Sequence, residues 1–188
     1  ARTLATLATT NNIVHADVAL TTGTVTMQGR STYEYAKFTL TGTYLGYGPY
    51  PSTTSDAAGA FSFADIIADE YTITTVMPRY LNIYCNVDTG DEIPDLCKKI
   101  TLPGLVDNVM ATIKLRAGNA MWTTNNVIDL DDAGKVGGEW GNSLCTITNV
   151  TDDCGDVNFD GLVNIRDLAL VGGNMDLTSA GAYGTWAP

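Results

Sequence analysis

The sequence predicts a mainly β chain: an antiparallel β-sandwich with a small α-helical module at its C-terminal end. Three observations predict it. Apolar and polar residues alternate in short runs between about residues 20 and 115, and period-2 alternation sets one face of a strand in a core and the other in water. Threonine, which is β-branched and favours strands, occurs 27 times against 10 Lys+Arg. Beyond residue 116 the alternation stops and the charge shifts, from 11 acids and 8 bases in residues 1–116 to 10 acids and 2 bases in residues 117–188. A boundary near Arg116–Gly118 follows. It divides the chain into an N-terminal arm (1–19), the sandwich (20–116) and a C-terminal module (117–188).

Taken in order, the expected strands are Thr24–Met27, Tyr35–Leu40, Phe61–Phe63, Tyr71–Thr74 and Met110–Leu115. Ser55-Asp56-Ala57-Ala58-Gly59 lies between two of these runs, and its Asp and Gly suit a hairpin turn. In the arm, Leu4, Leu7, Ile13, Val14 and Val18 are apolar, and no charge falls between Arg2 and Asp17. This stretch reads either as a further strand of its own sandwich or as one that adds to the sheet edge of a neighbouring subunit.

The run from Thr53 through Gly59-Ala60-Phe61-Ser62-Phe63 to Glu70-Tyr71-Thr72-Ile73 and Pro78-Arg79-Tyr80 resembles the carboxypeptidase regulatory-like domain, and Thr24–Arg30 matches that family's first strand. The resemblance implies a transthyretin-like, Ig-like β-sandwich over roughly residues 20–116, generally a spacer or binding module. The chain departs from the family by inserting Cys85 to Cys97 before the last strands, and by placing Ile67-Ala68-Asp69 in a loop that usually reads Pro-Ala-Gly.

Residues 156–167 read Asp-Val-Asn-Phe-Asp-Gly-Leu-Val-Asn-Ile-Arg-Asp. Oxygen donors stand at positions 1, 3, 5, 9 and 12, with glycine at 6. This is a calcium-loop pattern, because Ca²⁺ takes six to eight hard oxygens and alternate residues of a tight loop point inward. The expected ligands are Asp156, Asn158, Asp160, the Leu162 carbonyl, Asn164 directly or through water, and Asp167. A helix from Ile165 to about Gly172 would carry Ile165, Leu168 and Ala169 on one face. Sliding the chain by 35 residues places Val127–Asp132 on Leu162–Asp167 and Gly137-Gly138 on Gly172-Gly173. In this second, degenerate loop Asn125, Val127, Asp129 and Asp132 keep ligand positions, Met121 falls at position 1, and moving Asn119 there needs a two-residue insertion. The first loop is therefore expected to hold calcium weakly or not at all. Ile128 and Val163 would pair as a short β-bridge, and Trp122, Trp140 and Trp186 would seal a small second core.

Aspartate at position 12 and asparagine at 3 and 9 resemble the dockerin loop–helix, over about residues 117–178. That resemblance implies a cohesin partner, generally recognised through Ser-Thr-like residues at positions 10 and 11. Here those positions hold Leu130-Asp131 and Ile165-Arg166, a departure from the family.

The remaining composition narrows the function. A net charge of -11 leaves too few clustered cations for nucleic acid, and no apolar run approaches the roughly 20 residues of a membrane span. The only histidine is His15, so no Ser-His-Asp or Cys-His machinery is expected and the chain reads as non-enzymatic. The chain opens Ala-Arg-Thr-Leu without methionine, as expected of a processed, secreted protein or of a piece excised from a longer one. Its four cysteines lack metal-ligand spacing. Of three possible pairings, Cys85–Cys97 and Cys145–Cys154 are local, and two disulfides imply an extracellular, cell-surface setting; four buried free thiols are the alternative. Asn149-Val150-Thr151 fits a glycosylation sequon. Tyr44, Tyr47 and Tyr50 suit either sugar stacking or a loop packed on the sandwich edge. The expected role is structural: a calcium-stabilised subunit of a surface or filamentous homopolymer, joined by strand exchange. The alternative is a dockerin-type or carbohydrate-binding module that docks a cohesin or a glycan.

Overall fold

The computed structural model describes residues 18–42, 52–84, 98–102, 106–143 and 152–188. Two sheets face each other across a common core. In the first, β1 (Val18–Met27) lies between β4 (Ala60–Ile67) on one side and β7 (Asn108–Val109) with β8 (Ile113–Leu115) on the other. The second runs β3 (Thr53–Thr54), β2 (Lys37–Gly42), β5 (Asp69–Val76), β6 (Lys98–Leu102).

Alternation sets the inward faces. Phe38 and Leu40 of β2, and Tyr71 and Ile73 of β5, are buried, with exposed or half-buried neighbours between them. Phe38 stacks on Phe61 of the opposite sheet, ring centroids 3.7 Å apart and planes within 10°, which ties the two layers together.

The expected strands form, with β1 reaching back to Val18 inside the expected arm, with β3, β6 and β7 in addition, and with three differences in how they connect and pair. β7 and β8 pair with β1 in parallel, so the sandwich is mixed, not wholly antiparallel. The expected last strand, Met110–Leu115, is broken, and only its end pairs as β8. The turn after Ser55 forms where expected, with the Asp56 carboxylate accepting from the Ala58 and Ala60 amides at 2.9 and 2.8 Å. It joins strands of different sheets, however, since β3 pairs with β2 and β4 with β1. Gly59 has φ +84°, and a Cβ there would run into the Val25 carbonyl, so the crossing requires glycine. A β-bulge interrupts β1–β4: Ala19 faces Ile66 and Thr21 faces Phe63, and Asp65 takes φ +58° as the extra residue demands.

After β8 the chain forms two loop–helix segments, ending in α1 (Leu130–Gly138) and α2 (Ile165–Gly173), then a short α3 (Ser179–Tyr183). Ile128, Val136, Val157, Val163, Val171 and Tyr183 belong to one hydrophobic cluster with the sandwich residues. α3 anchors the chain's return. The Tyr183 hydroxyl donates to the Leu81 carbonyl at 2.8 Å and accepts from the Arg116 amide at 3.0 Å, while Ser179 Oγ donates to the Asn82 carbonyl.

Candidate functional site

The two loop–helix segments repeat at 35 residues in their hydrogen bonds as well as their sequence. Asp129 caps α1 and Asn164 caps α2, each in a capping box closed by Asp132 or Asp167 three residues on. Each helix ends on an equivalent cap, Glu139 and Asn174. Two residues later the backbone turns left-handed, at Gly141 (φ +80°) and Asp176 (φ +63°).

The expected Ile128–Val163 bridge does not form. The Ile128 amide donates to Leu177 and its carbonyl accepts from Asp176, at 3.0 and 2.7 Å. The Val163 amide donates to Asn142 and its carbonyl accepts from Gly141, both at 2.9 Å. Each loop therefore pairs with the tail of the other loop's helix, a reciprocal exchange that satisfies both position-8 residues without their touching through the backbone. Gly118 and Gly155 show the same exchange. A Cβ on Gly118 would meet Val171 of α2 at 3.2 Å, and one on Gly155 would meet Val136 of α1 at 3.0 Å.

Within residues 156–167 the side-chain oxygens organise the loop backbone. Asp156 accepts from the Asp160 and Gly161 amides at 3.2 and 3.0 Å, Asn158 from Asp160 at 2.7 Å, and Asp160 from Leu162 at 3.1 Å. Asp167 accepts from Val157, Asn158 and Asn164. The Asn164 side chain accepts from the Arg166 amide through Oδ1 and donates from Nδ2 to the Leu162 carbonyl at 2.9 Å. Gly161 bends the chain at φ +89°. All six expected residues thus line one loop, held by its amides. Among the described residues, no three His, Cys, Asp or Glu side chains gather as a metal cage; in the donor set expected from the sequence, asparagine and carbonyl oxygens would supply half.

Asp156 and Asp167 are fully buried and Asn158 nearly so. Burial pushes the Asp156 and Asp167 carboxyls above the usual aspartate range, and the like charges of Asp167 and Asp160 push Asp156 further. Hard oxygens, buried acids that repel one another and a glycine-bent loop fit a hard divalent cation.

In the first loop Asn125, Val127, Asp129 and Asp132 also come together. Asn125 accepts from the Val127 amide at 3.2 Å and donates to Asp129 at 3.2 Å. Asp132 accepts from the Met121 and Asp129 amides at 2.8 Å each. Met121 does not hold position 1. Asn119, which follows Gly118 as Asp156 follows Gly155, is fully buried. It donates to the Asn125 carbonyl at 3.1 Å, and its Oδ1 has no partner among the described residues. The loop makes the two-residue insertion that a rigid 35-residue register lacks.

Two expectations about packing change. Ile165 is 63 % exposed, and α2 buries Asp167 and Val171 instead, because the capping carboxylate has to turn inward. Trp140 is 54 % exposed, whereas Trp186 packs against the core and donates to the Ala111 carbonyl at 3.0 Å. Cys154 is buried and disulfide-bonded; Cys85, Cys97 and Cys145 lie outside the described residues, as do Asn149, Tyr44, Tyr47, Tyr50, His15 and residues 1–17 of the arm. No helix among the described residues is long and apolar enough to cross a membrane.

Two solved structures share this fold. Both come from the type II cohesin–X-dockerin complex of Acetivibrio cellulolyticus. A chain of its N-terminal interface mutant aligns with TM-score 0.60 at 20% identity, covering 86% of this chain and 98% of that one. A chain of the C-terminal interface mutant aligns with TM-score 0.57 at the same identity and coverage. At that identity the likeness is one of fold. No family model matches the sequence, and neither does any curated protein.

Proposed function

We propose that this chain is a non-catalytic extracellular binding module, in which a transthyretin-like sandwich carries a dockerin-like pair of calcium loops that docks a cohesin-type protein. One observation carries the reading. Among the described residues, four of the five large exposed apolar side chains of the repeat stand at equivalent positions, Leu130 (77 %) with Ile165 (63 %), and Trp140 (54 %) with Met175 (36 %), with Leu162 (44 %) the fifth. Large apolar side chains held in water at matched positions of two helical segments make a surface suited to a protein partner. The shared fold with a chain of a cohesin–X-dockerin complex supports it.

Calcium would be held by Asp156, Asn158, Asp160, the Leu162 carbonyl, Asn164 and Asp167. It would add positive charge beyond that of Arg166, 3.4 Å from Asp160, and fix the start of α2, while the loop amides keep the donors in place. A Cys145–Cys154 disulfide and a glycan at Asn149 belong to the same extracellular reading. The filament role rests on the arm, most of which lies outside the described residues; the matched exposed apolar residues and the shared fold favour docking.

The experiment is a calorimetric titration of the full chain with a type II cohesin in calcium. One-to-one binding is expected. Leu130→Asp with Ile165→Asp should weaken it by about 30-fold or more, the scale of an interface hot spot. Absence of binding, with fibres in electron micrographs, would restore the filament reading.

A further inference from the structure

Arg79 follows β5 in the sandwich, yet its side chain serves the second loop. It is fully buried and takes φ +64°. Its Nη1 donates to the Asp156 carbonyl at 3.2 Å, and its guanidinium carbon lies 4.3 Å from the centroid of the Phe159 ring. Nε finds no partner among the described residues. Phe159, at φ +59°, is also met by Arg30 at 5.1 Å and by the parallel ring of Tyr80 at 6.4 Å. Arg30 is itself held by Glu34 at 3.1 Å. Sandwich residues thus grip loop positions 1 and 4. The Arg79 carbonyl accepts from the Gly118 amide at 3.1 Å, at the start of the first loop.

A buried guanidinium is costly without counter-charge. Burial lowers the Arg79 pKa, and Asp156, Glu139, Asp152 and Asp167 oppose that shift. Arg79 is therefore a sandwich cation set within the acidic half of the chain, bound to the backbone of one candidate ligand residue and to the ring of a neighbouring loop residue.

We propose that Arg79 and Phe159 couple the loop 156–167 to the sandwich, so that a divalent cation bound in the loop also stabilises β5 and the connection that follows it. The proposal rests on the calcium reading of that loop. Arg79 is a positioning residue: it holds the backbone at Asp156 and the ring at Phe159, and a cation that orders this loop tightens the same grip.

Hydrogen–deuterium exchange of the full chain, with calcium or with chelator, tests it. In the wild type, calcium at a hundred times its Kd should reduce the open population of residues 156–167 on the order of a hundredfold, and that of residues 71–83 by a comparable factor. In Arg79→Met the loop should still respond while residues 71–83 do not. Phe159→Leu should act in the same direction, and Arg79→Lys, which keeps the charge, should retain part of the coupling. If Arg79→Met fails to fold, these last two variants carry the comparison. Protection of residues 71–83 that responds to calcium equally in wild type and variants would overturn the coupling. So would a wild type in which only the loop responds, and the calcium reading would then stand. A wild type with no calcium response anywhere would remove both.

Discussion

Asp132 and Asp167 are fully buried, and each closes its loop from the third residue of a helix. Their partners are mostly backbone amides, so truncation leaves buried N–H groups unpaired at about 1–3 kcal/mol each. The two loops should nevertheless answer calcium differently. Asp156→Ala or Asp160→Ala should abolish the rise in Tm that calcium gives over chelator. Asp132→Ala should lower Tm in both conditions and leave most of the difference between them. Thermal melts of the three variants check this, and identical behaviour would mean that the loops rank equally. Asn119 was hard to place from sequence for a physical reason. A rigid 35-residue slide puts Met121 at position 1, and only the packing of Gly118 against Val171 and Ile128 fixes where the loop begins.

At the scale of elements, α2 was legible from the sequence because its cap is local, and α1 repeats that cap. Asp129 with Asp132 and Asn164 with Asp167 spell a reciprocal capping pattern in the sequence itself. Which face turns inward was not local, and Ile165 went to solvent. Two glycine substitutions separate helix propensity from packing. Gly134 is exposed, and an added Cβ would meet nothing within 4 Å, so Gly134→Ala should stabilise by about 0.5–1 kcal/mol. At Gly155 the Cβ would stand 3.0 Å from both Val136 and Val163, so Gly155→Ala should cost about 1–3 kcal/mol through overpacking. Denaturant melts that shift both variants the same way would contradict the reciprocal packing of loops and helices.

On the scale of the whole molecule, charge and core pull against each other. Residues 117–188 carry 10 acids and 2 bases, yet Asp132, Asp156 and Asp167 lie inside. Burial raises all three above the ordinary value of 3.8. In metal-stripped protein the folded state then binds more protons than the unfolded chain between that value and the raised ones. This contribution is full below pH 3.8 and is lost as pH rises through the folded values. Metal-stripped protein should therefore melt higher on moderate acidification from neutral pH, and the gain in Tm from calcium should shrink, because protons and cation compete for the same oxygens. A calcium gain that holds constant with pH would argue against carboxylate ligation.

The strand faces, the glycine turn at 59, the start of α2 and the order of oxygen-bearing residues in the loop 156–167 are legible in the sequence, since each depends on residues within a dozen positions of one another. Tertiary structure alone decided the parallel pairing of β1 with β7 and β8, the exchange of Ile128 and Val163 between the tails of opposite helices, and the burial of Arg79 against Asp156, 77 residues away. Those contacts follow from where a long chain returns to itself to fill a core and satisfy its amides, and no short window of residues records that.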